Sequence, residues 1–185
     1  MNGVLRDRIE PVVALRQIRS GYGISAIKVA LEAEIAMSGS IDVGISGAAS
    51  GGDILFHEVC EELDIPTEVY LAMPEADYVR ESVADSGPGW VDRFHAICDR
   101  TTPFVLTDDG EVPKWVARDD YSIWQRNNLW VLHNALATGG DRSMLLALWN
   151  GAPGDNVGGT EDLVARTRAI GAKVVHIDTN EIFAS

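Results

Sequence analysis

The residues best suited to chemistry lie in two glycine-rich segments, each of which precedes a helical pattern. The first runs from Ser46 to Asp53, after the predicted strand Ile41–Ile45, and the second runs from Asn150 to Asp162, after the apolar run Met144–Trp149. Glycine lets the backbone adopt a positive φ or approach a ligand closely. A helix start adds unpaired N–H groups and the positive end of the helix dipole. Both segments therefore suggest a site for a phosphate or another anion.

A purely structural interpretation is open as well, with each segment forming a tight strand-to-helix turn and Asp53 acting as an N-cap. Neither segment matches the GxGxxG fingerprint or the lysine-bearing Walker loop. Two such segments at strand ends are harder to explain as turns alone than one. We therefore expect ligand contacts from both, at Gly47, Ala48, Ser50, Gly51, Gly52 and Asp53 in the first and at Asn150, Gly158, Gly159 and Thr160 in the second.

The first segment has only alanine and serine beside its glycines between Gly47 and Gly52. We expect its backbone amides, rather than its side chains, to hold the ligand. Arg126 is the only lysine or arginine between Arg118 and Arg142, and a guanidinium binds phosphate or carboxylate through two parallel hydrogen bonds. An ion pair with Asp119 or Asp120 is the structural alternative for it.

The sequence offers little support for metal or nucleophilic chemistry. His57 and Cys60 are three residues apart and could face one way on a helix, but no second pair supplies the remaining ligands of a metal site. No GxSxG elbow or cysteine–histidine pairing is visible. We expect no metal and no cofactor.

Charge and cysteine content limit the partners and the compartment. The net charge is −13, and Asp53 to Glu111 contains fifteen acidic residues against three arginines, so we expect neither nucleic acid nor anionic membrane as a partner. The two cysteines show no CxxC spacing, and no run approaches the ~20 apolar residues of a membrane span. These features favour the cytoplasm. They leave open a homodimer and a larger multidomain parent protein.

Strand and helix patterns alternate along the chain and predict an α/β fold with a doubly wound, mostly parallel sheet. The predicted strands are Pro11–Leu15, Ile41–Ile45, Thr67–Leu71, Phe104–Leu106, Met144–Trp149 and Lys173–Ile177. Gly21-Tyr22-Gly23 indicates a loop before a helix that carries Ile24, Ile27, Leu31 and Ile35 on one side. In such sheets ligands bind beyond the carboxyl ends of the strands. At 185 residues, we expect a single domain over 1–185.

Four separated motifs occur in the order found in one known family. They are Gly44–Asp53, Tyr121–Trp130, Ala147–Gly151 and Gly158–Thr160. With these motifs the chain resembles the SLOG superfamily, the Rossmann-like group that contains the DprA and LOG proteins. It is most similar to the branch found as terminal domains of bacterial signalling and conflict proteins, which is related to the TRAFs-binding region of stress kinases. The likeness covers about residues 41–179, after a diverged N-terminal part over 1–40.

The resemblance implies binding of nucleotides or nucleotide-derived signals, and LOG members hydrolyse the N-glycosidic bond of cytokinin riboside monophosphates. Gly158, Gly159 and Thr160 match the LOG loop, Asp162 falls near its catalytic glutamate, and Arg126 matches its substrate-holding arginine, with Asn127 beside it. We therefore expect a regulatory domain that binds a small nucleotide-derived ligand. Two alternatives are a LOG-like N-glycosidase with Arg126 and Asp162 as catalytic residues, and a protein-interaction module whose pocket is degenerate.

Overall fold

The computed structural model describes residues 10–14, 20–118, 121–137, 139–151 and 159–180, with the backbone alone for 10–14 and 20–22. The strands are β1 (Glu10–Ala14), β2 (Gly44–Ser46), β3 (Thr67–Leu71), β4 (Phe104–Val105), β5 (Ser143–Trp149) and β6 (Lys173–Asp178). The helices are α1 (Ser20–Ser38), α2 (Gly52–Glu62), α3 (Glu75–Ser82), α4 (Pro88–Arg100), α5 (Ile123–Leu136) and α6 (Thr160–Ala169). Short 3-10 turns occupy Ala84–Ser86 and Gly140–Arg142.

The six strands form one parallel sheet in the order β4-β3-β2-β1-β5-β6. The chain builds outward from β1 to β4 on one side, then crosses to the other side of β1 for β5 and β6. This reversal creates the switch point at which doubly wound sheets bind ligands. The prediction of a doubly wound α/β fold is confirmed.

Helices cover both faces of the sheet, and the alternating side chains of β5 show how. Met144, Leu146 and Leu148 pack with buried residues of α1 and α2. Leu145 and Ala147 point the other way and pack with α5 and α6. A third cluster joins Val69 and Leu71 of β3 to residues of α3 and α4. Continuous apolar strands are expected here, because a parallel sheet is buried on both faces.

Two expectations about local structure are wrong. The Gly21-Tyr22-Gly23 stretch is not a loop, since α1 already begins at Ser20; intrinsic propensity is a weak prior that tertiary packing overrides. Helical spacing also predicts that Leu129 faces inward on α5, yet it belongs to none of the three buried clusters, and Gln125 and Asn127 are buried instead. In the described part of the chain, no helix is both long and apolar enough to cross a membrane.

Candidate functional site

The two glycine-rich segments both start at the same edge of the sheet, where the parallel strands end. The first, 47–51, follows β2, and the second follows β5. Both strands are direct neighbours of β1, so the segments flank its carboxyl end. Adjacent strands are about 4.8 Å apart, which places β2 and β5 roughly 10 Å from one another. That separation suits a small ligand.

The backbone amides of the first segment are largely occupied by the protein itself. The Ala48 amide donates to the Tyr78 hydroxyl over 3.2 Å, and the Ala49 amide donates to Asp53 Oδ2 over 3.2 Å. The Ser50 amide donates to the Ser82 carbonyl over 3.0 Å. An amide that already has a partner gains little from a ligand. The amide cradle expected from the glycine pattern is therefore not open at these three residues.

Asp53 organises the segment from within the first turn of α2. Gly51, with φ of 104°, occupies the N-cap position and gives no side-chain cap, so Asp53 is not the N-cap. Its Oδ1 accepts a hydrogen bond from Ser46 Oγ over 2.9 Å, and its Oδ2 accepts the Ala49 amide. Asp53 is buried. Its carboxylate thus stabilises the loop, and its negative charge disfavours an anion close behind it.

Gly47 is required by close packing. A Cβ at this position would lie 2.8 Å from Asp53 Oδ2 and 2.8 Å from the Tyr78 hydroxyl oxygen. Both contacts are shorter than van der Waals distance, so one of the two buried side chains would have to move.

We expect Gly47→Ala to lower the free energy of unfolding by about 1–3 kcal/mol, the usual range for overpacking a well-packed interior. Urea denaturation checks this. Gly89→Ala is the matched control, because a Cβ there meets nothing within 4 Å and alanine favours the surrounding helix. Equal stability of the two variants would contradict the packing argument.

Ser50 anchors the segment to the turn after α3. Its hydroxyl donates to the Ser82 carbonyl over 3.0 Å and lies 2.7 Å from Ser86 Oγ. The Ser50 side chain therefore has a structural role, and the expectation that backbone amides rather than side chains hold the ligand stays a prediction.

Ser50→Ala should destabilise the fold by about 1 kcal/mol, the net value of a typical hydrogen bond. Ser86→Ala removes only one of the two contacts and should cost less. Thermal unfolding of both variants separates the two effects. A Ser50→Ala protein as stable as wild type would show that the anchor contributes nothing.

His57 lies beneath the segment, with only 1% of its surface exposed. Helical spacing predicts that His57 falls on the outer side of α2, and this prediction is wrong because the first half of the helix is buried on every side. Its Nε2–H donates to the Gly47 carbonyl over 2.8 Å, while Nδ1 has no partner among the described residues. Burial lowers its pKa to about 4, an effect that the Gly47 hydrogen bond only partly opposes. His57 is therefore a neutral donor at neutral pH.

Tyr78 connects the first segment to the start of α5. Its hydroxyl receives the Ala48 amide, and its ring contacts Trp124 edge to face at 5.5 Å. Burial, together with the nearby Asp53 charge, raises the pKa of Tyr78 well above its usual range. The neutral phenol fixes the loop and the helix relative to each other.

The first turns of α5 carry polar atoms without partners. Ser122 caps the helix by accepting the Gln125 amide over 3.1 Å. Asn127 Nδ2 donates to the Tyr70 carbonyl at the end of β3, but its Oδ1 is buried and has no partner in the described structure. Gln125 Oε1 and Arg126 Nη1 are also buried and have no hydrogen-bond partner in the described structure. Buried polar groups are nearly always paired, so these three atoms call for an explanation.

Asn127 belongs to the same site as the first segment, because both approach the Tyr70 carbonyl oxygen. Asn127 Nδ2 lies 3.1 Å from that oxygen, and a Cβ on Gly47 would lie 3.7 Å from it. Gln125 was not predicted as a site residue. Residues two apart on a helix do not face each other, so Gln125 and Asn127 present their oxygens in different directions.

The second segment is described only at its ends. Gly158 lies outside the described residues, as do Asp119 and Asp120, the alternative partners of Arg126. Gly159 is the N-cap of α6, and Thr160 is its first residue. Asp162 Oδ2 accepts a hydrogen bond from Arg166 over 2.9 Å. The Asn150 carbonyl accepts one from Asn180 over 2.8 Å.

The described residues contain no group of three histidine, cysteine, aspartate or glutamate side chains placed to hold a metal. Both cysteines are buried. Burial raises the pKa of the Cys60 thiol far above its usual range and that of Cys98 to about 12. Neither cysteine is a thiolate at neutral pH, so neither is prepared for nucleophilic attack.

Comparison with known proteins shows a likeness to solved structures but none to a family model or a curated protein. The chain is similar to an X-ray structure of DNA processing protein A (DprA) from Streptococcus pneumoniae, with a TM-score of 0.42 and 15% sequence identity. The likeness covers 98% of this chain and 62% of that chain. The sheet order and the parallel pairing, rather than this likeness, establish the α/β fold.

Proposed function

We propose that this chain is a regulatory domain that binds a small nucleotide or nucleotide derivative at the carboxyl edge of its sheet. The ligand would lie beside the start of α5, between the first glycine-rich segment and the end of β5. Its anionic group would be held by Arg126, and a hydrogen-bond donor on its sugar or base would meet Asn127.

The observation that supports this proposal most is the set of unpaired atoms on α5. Leaving a buried polar atom unsatisfied costs about 1–3 kcal/mol, more when the group is charged. A ligand that completes the hydrogen bonds of Arg126 Nη1 and Asn127 Oδ1 removes that cost for these two atoms, while Gln125 Oε1 points in another direction. Arg126 Nη1 requires an acceptor such as a phosphate oxygen, whereas Asn127 Oδ1 requires a donor such as a hydroxyl or an amine.

The charge distribution supports the same orientation of the ligand. Asp53 is buried behind the first segment, and the amides of Ala48, Ala49 and Ser50 are occupied. The first segment is therefore a poor place for an anion, and a neutral part of the ligand fits better there. Arg126 lies in the first turn of α5, and its Nη1 is a buried donor without a partner in the described structure. It is therefore the cation best suited to hold the anionic group.

Hydrolysis is our second hypothesis, because Asp162 is engaged in an ion pair. A catalytic carboxylate must reach the reacting atoms, whereas Asp162 holds Arg166 one turn further along α6. The N-glycosidase hypothesis would require that ion pair to open. A protein-interaction role remains the third hypothesis, and an inert pocket would be its signature.

A thermal shift panel tests the proposal with AMP, NAD, ADP-ribose, cyclic ADP-ribose and cyclic nucleotides. A ligand present at 100 times its Kd adds about 2.7 kcal/mol to stability, which raises the melting temperature measurably. A single-stranded DNA oligonucleotide belongs in the same panel, and the net charge of −13 predicts that it does not bind. If no small ligand shifts the melting temperature at millimolar concentration, the proposal fails.

A further inference from the structure

The connection from β4 to α5 crosses the same edge of the sheet as the candidate site. It is attached at its start, where the Leu106 amide donates to the Leu71 carbonyl over 2.9 Å and Thr107 Oγ1 donates to the Ala72 carbonyl over 3.3 Å. A Cβ on Gly110 would lie 3.4 Å from Met73 Cβ, so the chain still runs beside the end of β3 at that point.

The connection begins and ends beside the same buried cluster. Met73 belongs to a buried cluster against which Ile123 and Trp124 of α5 pack. Trp124 precedes the three residues that carry unpaired buried atoms. The described part, residues 106–118, contains no buried residue and lies at the surface, and the neighbouring residues Met73 and Trp124 share one cluster beside the candidate site. Compact loops of this kind are frequently functional.

Trp115 is the most exposed large apolar side chain of the described residues, at 82%. The other four tryptophans are all at least partly buried. Its loop is held locally by hydrogen bonds from the Val116 and Ala117 amides to the Pro113 carbonyl. Five residues of extended chain reach at most about 18 Å, so Trp115 stays within that distance of Gly110, which itself lies against Met73 of the cluster beside α5.

We propose that Trp115 is a binding residue of this site and stacks on a planar aromatic ring of the ligand. This inference rests on the proposed function and narrows it, because the ligand must then combine an anionic group with an aromatic base. A tryptophan offers a large flat apolar face, and stacking on aromatic side chains is a common and sequence-tolerant way to hold a base. Exposure at 82% leaves most of that face available.

AMP and ribose 5-phosphate form a matched pair of probes, because only AMP carries the base. Isothermal titration calorimetry should give a Kd for AMP about tenfold weaker in Trp115→Ala than in wild type, within the measured range for base stacking. Trp115→Phe, which keeps an aromatic face, should recover most of that loss. Ribose 5-phosphate should bind wild type and Trp115→Ala equally. Met37→Ala, which removes another strongly exposed apolar side chain, should leave AMP binding unchanged.

The outcomes separate this inference from the function on which it rests. If AMP binds wild type and Trp115→Ala equally, the stacking role is wrong while the binding domain stands. If Trp115→Ala weakens AMP and ribose 5-phosphate by the same factor, Trp115 acts on the loop and not on the base, and the stacking role is again wrong. If wild type binds neither probe nor any member of the nucleotide panel, the proposed function is wrong, and the stacking role of Trp115 is wrong as well.

Discussion

Arg126→Ala is expected to weaken AMP binding by about 1.5–3 kcal/mol, the range for a hydrogen bond to a charged group. Within the described structure the guanidinium has a buried Nη1 without a partner, which is the donor that we propose for the phosphate. Stability should change by less than about 1 kcal/mol. Arg126→Lys should recover only part of the affinity, because an ammonium keeps the charge without the planar fork.

Arg168→Ala controls for the loss of one positive charge. Arg168 is exposed on α6, and its removal leaves the same net charge as Arg126→Ala. Calorimetric titration of AMP into both variants should show a loss of affinity for Arg126→Ala alone. Equal losses would mean that general electrostatic attraction, and no local contact, carries the effect. Unfolding of Arg126→Ala with normal AMP binding by the folded remainder would make Arg126 a structural residue.

Acidification is expected to destabilise the fold through His57. Its pKa falls from 6.5 in the unfolded chain to about 4 in the folded protein, chiefly because burial disfavours the charged ring. Between these two values the unfolded state binds more protons, so stability is complete above about pH 6.5 and decreases as the pH falls toward 4. At 1.36 kcal/mol per pKa unit, the loss amounts to about 3 kcal/mol.

Urea denaturation between pH 7 and pH 4 measures this loss. His57→Gln keeps a neutral N–H donor for the Gly47 carbonyl but cannot titrate, so its stability should depend less on pH than that of wild type by about 3 kcal/mol over this range. His133→Gln, at an exposed position of α5, should follow wild type. Identical pH dependence of wild type and His57→Gln would refute the assignment.

The strands and most of the helices could be predicted because their signals are local. The apolar runs at β3 and β5 are buried on both faces, and the spacing of Ile27 and Leu31 places one side of α1 in the core. His57 could not be placed this way. Helical periodicity assumes one exposed face, and the first half of α2 has none, because α1, α4 and the sheet surround it.

The glycine-rich segment after β2 was predicted as a strand-to-helix connection, and its glycines do have conformational and packing reasons. Whether its amides are free or hydrogen-bonded could not be predicted, since their acceptors include Tyr78 and Ser82, about thirty residues further along the chain. Arg126 and Asn127 were expected at the site from the family resemblance, and their ligand-binding roles stay predictions. Gln125 was missed because a polar residue on a helix gives no sign of burial.

A crystal structure of the protein soaked with AMP tests the central claim most directly. We expect the phosphate at the Arg126 guanidinium, with a donor of the nucleoside on Asn127 Oδ1 and the ligand beside the end of β2. AMP bound elsewhere on the surface, or a phosphate seated on the amides of the first segment with Arg126 turned away, would contradict it.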